Sequence, residues 1–344
     1  MTLSTLSTDA TTSGTDATGD PFAELRSVDA GVLRVGYADA GPAHGTPVLL
    51  LHGWPYDIRS FAGVVPLLTA AGYRVFVPYL RGHGSTVFRD DRAARNAQQS
   101  VLAADAVAFL DAVGVDRVIV AGFDWGARTA DILAVLHPER TIGLVSVSGY
   151  LVGSQAAGAE PLSPSTELQW WYQYYFATER GRSGYDRYHR DFAKLIWRLA
   201  SPQWGFDDAT FDESAVALEN PDHVDIVIHN YRWRLGLADG DPRFDEVEAQ
   251  LATAPAVGVP TITLEGDANG APHPDASAYA SKFTGAYEHR AVTGGVGHNL
   301  PQEAPAEFAR AIVDVDLMSR STRDTTLPSP PPATTSANPH PGMA

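Results

Sequence analysis

Five residues constrain this chain more than any others. Gly122-Phe123-Asp124-Trp125-Gly126 follows the run Arg117-Val118-Ile119-Val120-Ala121 and opens the helix-compatible stretch Ala127-Arg128-Thr129-Ala130. A strand that bends sharply into a helix needs small residues on both sides of the bend, which lifts the middle side chain clear of the sheet. Such a bend most often carries Ser; here it carries Asp124. A carboxylate displaces a leaving group at carbon and leaves an ester for water to cleave. The residue therefore points away from acyl transfer.

The 344 residues exceed the usual length of one domain, although α/β proteins often run to about 250 residues as a single unit. Hydrophobic residues make up 44% and charged residues 19%, an ordinary globular balance. No apolar run approaches the roughly 20 residues of a membrane helix. A net charge of -16 disfavours nucleic acid and anionic membrane surfaces as partners. With zero cysteines there is no disulfide framework, which fits a cytoplasmic protein. The start lacks the basic and apolar segments of a signal peptide. Residues 1–21, rich in Thr, Ser, Asp and Gly, and residues 319–344, rich in Pro, Ser and Thr, are expected to be disordered tails.

Between the tails, apolar runs alternate with amphipathic stretches. Strands are expected at Leu33-Tyr37, Val48-Leu51, Arg74-Val77, Val118-Ala121, Gly143-Ser148, Thr261-Leu264 and His289-Val292. Most lack polar alternation, as strands covered on both faces do. Helices are expected at Ala103 to Val113, ended by Gly114, and at Glu303 to Val313. This alternation predicts an α/β fold with a mostly parallel central sheet flanked by helices. It breaks at residues 153–241, rich in Trp and Tyr and free of strand signals. That segment reads as a helical cap over the C-terminal ends of the strands, between core segments 22–152 and 242–318.

Further motifs fall in a telling order: His52-Gly53-Trp54-Pro55, Arg81-Gly82-His83-Gly84-Ser85, the bend at Asp124, and Gly297-His298 after the last expected strand. Together they resemble the α/β-hydrolase superfamily, and within it the epoxide hydrolases close to the haloalkane-dehalogenase branch. The resemblance covers roughly residues 32–315. It implies attack by Asp124, an oxyanion hole from the backbone N–H groups of Trp54 and Trp125, and water activated by His298. Tyr172, before Gln173, and Tyr231, between Asn230 and Arg232, resemble the segments bearing two tyrosines that protonate the epoxide oxygen. His52, Phe123, Trp170, Trp171 and Asn269 are expected around the substrate. Most other rings of the cap are expected to pack.

The acid that orients His298 is ambiguous. Asp267, in Leu264-Glu265-Gly266-Asp267-Ala268-Asn269, is the favoured candidate. The usual Gly-x-x-Asp spacing would place the carboxylate at 269, where this chain has Asn269; an amide would fix the ring but stabilise imidazolium less. The alternative position, after the strand ending Ser146-Val147-Ser148-Gly149, has no carboxylate. Other departures are Phe123, where the relatives usually show His, and Ala127-Arg128, which bears on how the helix after the bend packs. The expected activity is hydrolysis of a small-molecule epoxide by water, without metal or cofactor, in a monomer or homodimer. Hydrolytic dehalogenation with indole N–H groups cradling the halide is the nearest alternative. A catalytically weak ligand-binding protein is a third.

Overall fold

The computed structural model describes residues 20–326. Nine strands make one sheet: β1 (Arg26–Ala30), β2 (Leu33–Ala40), β3 (Pro47–Leu51), β4 (Arg74–Pro78), β5 (Val87–Phe88), β6 (Val118–Gly122), β7 (Thr141–Val147), β8 (Thr261–Gly266) and β9 (Tyr287–Val292). Their order is β1-β2-β4-β3-β6-β7-β8-β9, with β5 paired to β2. Pairing is antiparallel at the β1-β2-β4 end and parallel from β4 through β9. All seven expected strands are present. The unexpected β1 is polar and mostly exposed because it lies at the sheet edge.

Helices α1 (Val64–Ala70), α2 (Gln99–Ala112) and α3 (Trp125–Leu136) alternate with the first strands. Then come α4 (Gln155–Gly158), α5 (Pro164–Gln169), α6 (Trp171–Ala177), α7 (Glu179–Ala200), α8 (Asp208–Ala215), α9 (His223–Arg234) and α10 (Asp245–Ala252), all between β7 and β8. Helices α11 (Ala276–Tyr279), α12 (Leu300–Glu303) and α13 (Pro305–Thr326) complete the described chain.

The central strands explain the architecture. All five residues of β6 are buried, so both faces of the sheet are covered, as parallel crossovers require. Leu49, Leu51, Val118 and Val120 point to one face and join Phe109, Leu110, Ile132 and Leu133 of α2 and α3. Val48, Leu50, Ile119 and Ala121 point to the other and join Val64 and Leu68 of α1 and Phe308, Ile312 and Val315 of α13. Each fully buried aliphatic side chain is worth roughly 1.5–3 kcal/mol.

Residues 1–19 and 327–344 of the expected tails lie outside the described residues. The inner ends of both tails depart from expectation. Phe22 is buried in the core, its N–H donating to Asp20. At the other end, α13 continues past Ser319 to Thr326. The Pro, Ser and Thr from Ser319 onward suggested a tail, but Ser319 and Asp316 are buried. Asp316 accepts from Tyr73 Oη at 3.1 Å and from Arg320 one turn later, which ties the helix to the sheet.

Candidate active site

The bend expected from the sequence stands between β6 and α3. Asp124 has φ 54° and ψ −122°, a conformation costly for a residue with a side chain and held only because the surroundings dictate it. The flanking glycines permit it. A Cβ on Gly126 would lie 1.9 Å from the Leu51 carbonyl oxygen, and one on Gly122 2.5 Å from the Gly126 carbonyl carbon. Asp124 Oδ1 accepts the backbone N–H of Trp54 at 2.8 Å, and the N–H of Trp125 also donates to this carboxylate. Oδ2 stands 3.5 Å from His298 Nε2. Burial pushes the carboxyl up, but His298 and the two N–H groups outweigh it, so it titrates below its ordinary value.

His298 sits in the turn between β9 and α12, and its neighbours come from far along the chain. Its N–H donates to Ser201 Oγ at 2.9 Å, and the N–H of Asn299 donates to the same oxygen. Ser201 in turn donates to Glu303 Oε1 at 2.6 Å, and Gly297 N–H donates to Oε2 at 2.7 Å. Burial raises the Glu303 carboxyl, while these donors and the nearby imidazole act against that. His298 Nδ1 is buried with no hydrogen-bond partner.

The expected acid is therefore corrected. Asp267 does not orient the ring. Its exposed carboxylate accepts the N–H groups of Gly294, Gly295 and Val296 at 2.9–3.0 Å. These donors hold it below its ordinary value. The reason is local: β8 ends at Gly266, and Asp267 turns towards the loop that follows β9. Asn269 does not touch the ring either. Its amide donates to Glu265 at 2.8 Å and to Ser148 Oγ at 3.3 Å, and its oxygen accepts from Ala271.

Opposite Asp124 stand two phenols. Tyr172, in α6, and Tyr231, in α9, meet edge to face at 5.3 Å between centroids. Both line a chamber of about 80 Å³ with Trp54, Asp124, Trp170 and His298. Burial raises both hydroxyls, and the Asp124 charge adds to it, so they are neutral donors at ordinary pH. The chamber shares walls at Arg128, Leu151, Trp170 and Arg234 with an outer cavity of about 930 Å³, which Asn269 also lines.

Three residues expected around substrate stand behind the site instead. Buried His52 donates from Nδ1 to Gly53 O at 3.0 Å and accepts Leu80 N–H at Nε2; burial and neighbouring His83 push it down to about 3. Phe123 is buried against Tyr56, Phe61 and the His298 ring. Trp171 packs on Tyr172, Tyr175 and Phe192. Consecutive positions on a helix face different ways, so of the doubled tryptophans only Trp170 reaches the chamber.

Sequence reasoning also missed a buried chain behind Trp54. Trp54 Nε1 donates to Tyr185 Oη at 2.8 Å, which pairs with His223 Nε2 at 2.8 Å. His223 Nδ1 meets Gly82 O. Only the heavy use of Tyr and His between residues 153 and 241 hinted at it. Ser201, Glu303 and Arg234 carried no motif.

A family model described as the alpha/beta hydrolase fold matches residues 46–192. A Klebsiella pneumoniae crystal structure described as "a putative epoxide hydrolase" is 56% identical. The match covers 88% of this chain and 100% of that one, with a TM-score of 0.87. Epoxide hydrolase B of Mycobacterium tuberculosis is 37% identical over 159 residues, 42% of this chain and 44% of that protein, so the match spans less than half of that relative. Epoxide hydrolase A of the same organism is 26% identical over 312 residues, 84% of this chain and 96% of that protein. With its parallel sheet, its bend after β6 and the carboxylate held there by two backbone N–H groups, this chain belongs to the α/β-hydrolase family.

Proposed function

We propose that this protein hydrolyses an epoxide to a vicinal diol through an ester on Asp124. The supporting observation is the chamber itself: an ionised carboxylate faces two neutral tyrosine hydroxyls, with an imidazole 3.5 Å from the carboxylate. Asp124 Oδ2 attacks an epoxide carbon, the C–O bond breaks, and Tyr172 or Tyr231 gives its proton to the departing oxygen. His298 then takes a proton from water, whose oxygen attacks the ester carbonyl. The N–H groups of Trp54 and Trp125 hold the oxyanion, one such donor being worth about 3–4 kcal/mol. Collapse frees the diol and the Asp124 carboxylate, and the proton on His298 returns to the tyrosinate.

In this reading residues 153–241 are the cap that brings the phenols over the nucleophile. The partners are a small epoxide and water, and the lack of cysteine supports a cytoplasmic setting. A single turnover in ¹⁸O-water tests the mechanism: label enters the Asp124 carboxylate first. Label in the diol on the first turnover rejects a covalent ester.

One observation favours dehalogenation as a second reading. The buried indole N–H of Trp125 makes no full hydrogen bond and has the Tyr231 hydroxyl as its polar neighbour, as a halide donor beside that phenol would. Styrene-type epoxides assayed beside haloalkanes, for diol and for halide, separate the two.

A further inference from the structure

The chain carries 41 acidic and 25 basic residues, and among the described residues it is the half-buried arginines that almost always meet a carboxylate. Arg81 pairs with Asp105, Arg95 with Asp222 and Arg232 with Glu179. Arg128 and Arg234 do not follow this pattern. Among the described residues the Arg128 side chain makes one hydrogen bond, from Nε to the Leu151 carbonyl at 2.9 Å, and none from either terminal nitrogen. Arg234 stands 5.5 Å from the ring centroids of Trp170 and Tyr231, a cation–π placement that uses none of its N–H donors. Both side chains line the inner chamber with Asp124 and also the outer cavity.

We propose that Arg128 and Arg234 form an anion subsite at the mouth of the chamber, and that the substrate is an epoxide carrying a carboxylate near the oxirane. Two guanidinium groups side by side repel one another and gain from a shared anion. Burial and then the charge of Arg234 push Arg128 down to about 10, still a cation at neutral pH. The nearby carboxyls are otherwise engaged. Asp124 holds two backbone N–H groups and faces His298. Asp131 accepts the Leu151 N–H at 2.7 Å, burial raises it to about 7, and its attraction to Arg128 ranks below its hydrogen bonds to Leu151 and Ser146. An anion seated between the arginines would fix the epoxide carbon in front of Asp124 while the small chamber holds only the reactive end. Without this local cation pair, a chain of net charge -16 would repel such a substrate.

The inference rests on the epoxide reading above, and its test separates the two. Glycidate and glycidamide have nearly the same size and differ in charge. Wild-type kcat/KM should favour glycidate. Arg234→Gln should lower kcat/KM for glycidate roughly ten- to a hundredfold more than for glycidamide, the loss of a charged hydrogen bond. Arg128→Gln should do the same, with circular dichroism checking its fold; if it does not fold, Arg234→Gln decides. Equal losses on both substrates, or a wild-type preference for the amide, overturn the subsite. So does turnover of styrene oxide with none of glycidate, while epoxide hydrolysis stands. Calorimetric titration with glycerate reads the subsite without turnover. Binding that Arg234→Gln weakens about tenfold supports it even if no epoxide is hydrolysed, whereas no binding to wild type overturns it.

Discussion

Asp124 and His298 face each other across 3.5 Å, yet they are held in opposite ways. Asp124 is fixed by its own neighbourhood: β6 ends, two glycines allow the bend, and Trp125 supplies an N–H from the next residue. Only Trp54 comes from a distance, and it lies in the turn that follows adjacent β3. His298 is fixed by groups drawn from three separate parts of the fold. Ser201 follows α7, Glu303 ends α12, and Asp267 follows β8. A rigid carboxylate thus faces an imidazole whose position depends on several independent contacts.

The sharpest challenge to that comparison removes each centre in turn. Asp124→Asn should abolish diol formation, by roughly 10⁴-fold or more, since loss of a nucleophile is nearly complete. Residual turnover near wild type would show that another group attacks. His298→Gln should lower turnover roughly 10²- to 10⁴-fold and let the ester accumulate. Mass spectrometry of the intact protein would then show an increase equal to the substrate's mass, and its absence would remove His298 from the hydrolytic step.

The next variants probe the supports of the base. Ser201→Ala strips the acceptor from the Asn299 N–H and leaves the His298 N–H only the Ala200 carbonyl at 3.2 Å, at about 1–3 kcal/mol. It should lower kcat roughly tenfold by letting the imidazole drift, with the ester half of the reaction affected more than ring opening in rapid-quench measurements. Asp267→Asn should have the smallest effect. Its carboxylate braces the loop and does not touch the ring, so kcat should fall less than for Ser201→Ala. A loss as large as that of His298→Gln would restore Asp267 as the orienting acid. Because the folded carboxyl lies below its ordinary 3.8, its stabilising contribution is complete above that value and is lost as pH falls through the lower, folded one. The gap in melting temperature between wild type and Asp267→Asn should therefore narrow below about pH 4.

Much of this was open to reading in one dimension. Gly122, Asp124 and Gly126 are adjacent, and their roles follow from the steric rules of a single bend. Trp54 and His298 were found because each ends or follows a strand whose pattern is strong. The acid was misplaced because Asp267 and Asn269 lie at the right point of the chain but face the wrong way. The turn after Gly266 aims Asp267 at backbone N–H groups, and Asn269 is drawn to Glu265 and Ser148. His52 and Phe123 share short segments with Trp54 and Asp124, yet point into the layer behind the site. The position that could have carried an alternative acid holds Ser148, which lines the chamber.

The sequence by itself determined the strand–helix alternation, the bend and the carboxylate carried at its tip, since each depends on residues within a few positions of one another. Only the tertiary structure decided what surrounds that group. The Trp54–Tyr185–His223 chain, the Ser201–Glu303 support and the unpaired guanidinium groups of Arg128 and Arg234 join residues as many as 131 positions apart. Side-chain direction and distance over such separations are set by how helices pack on the sheet, and no local pattern encodes them.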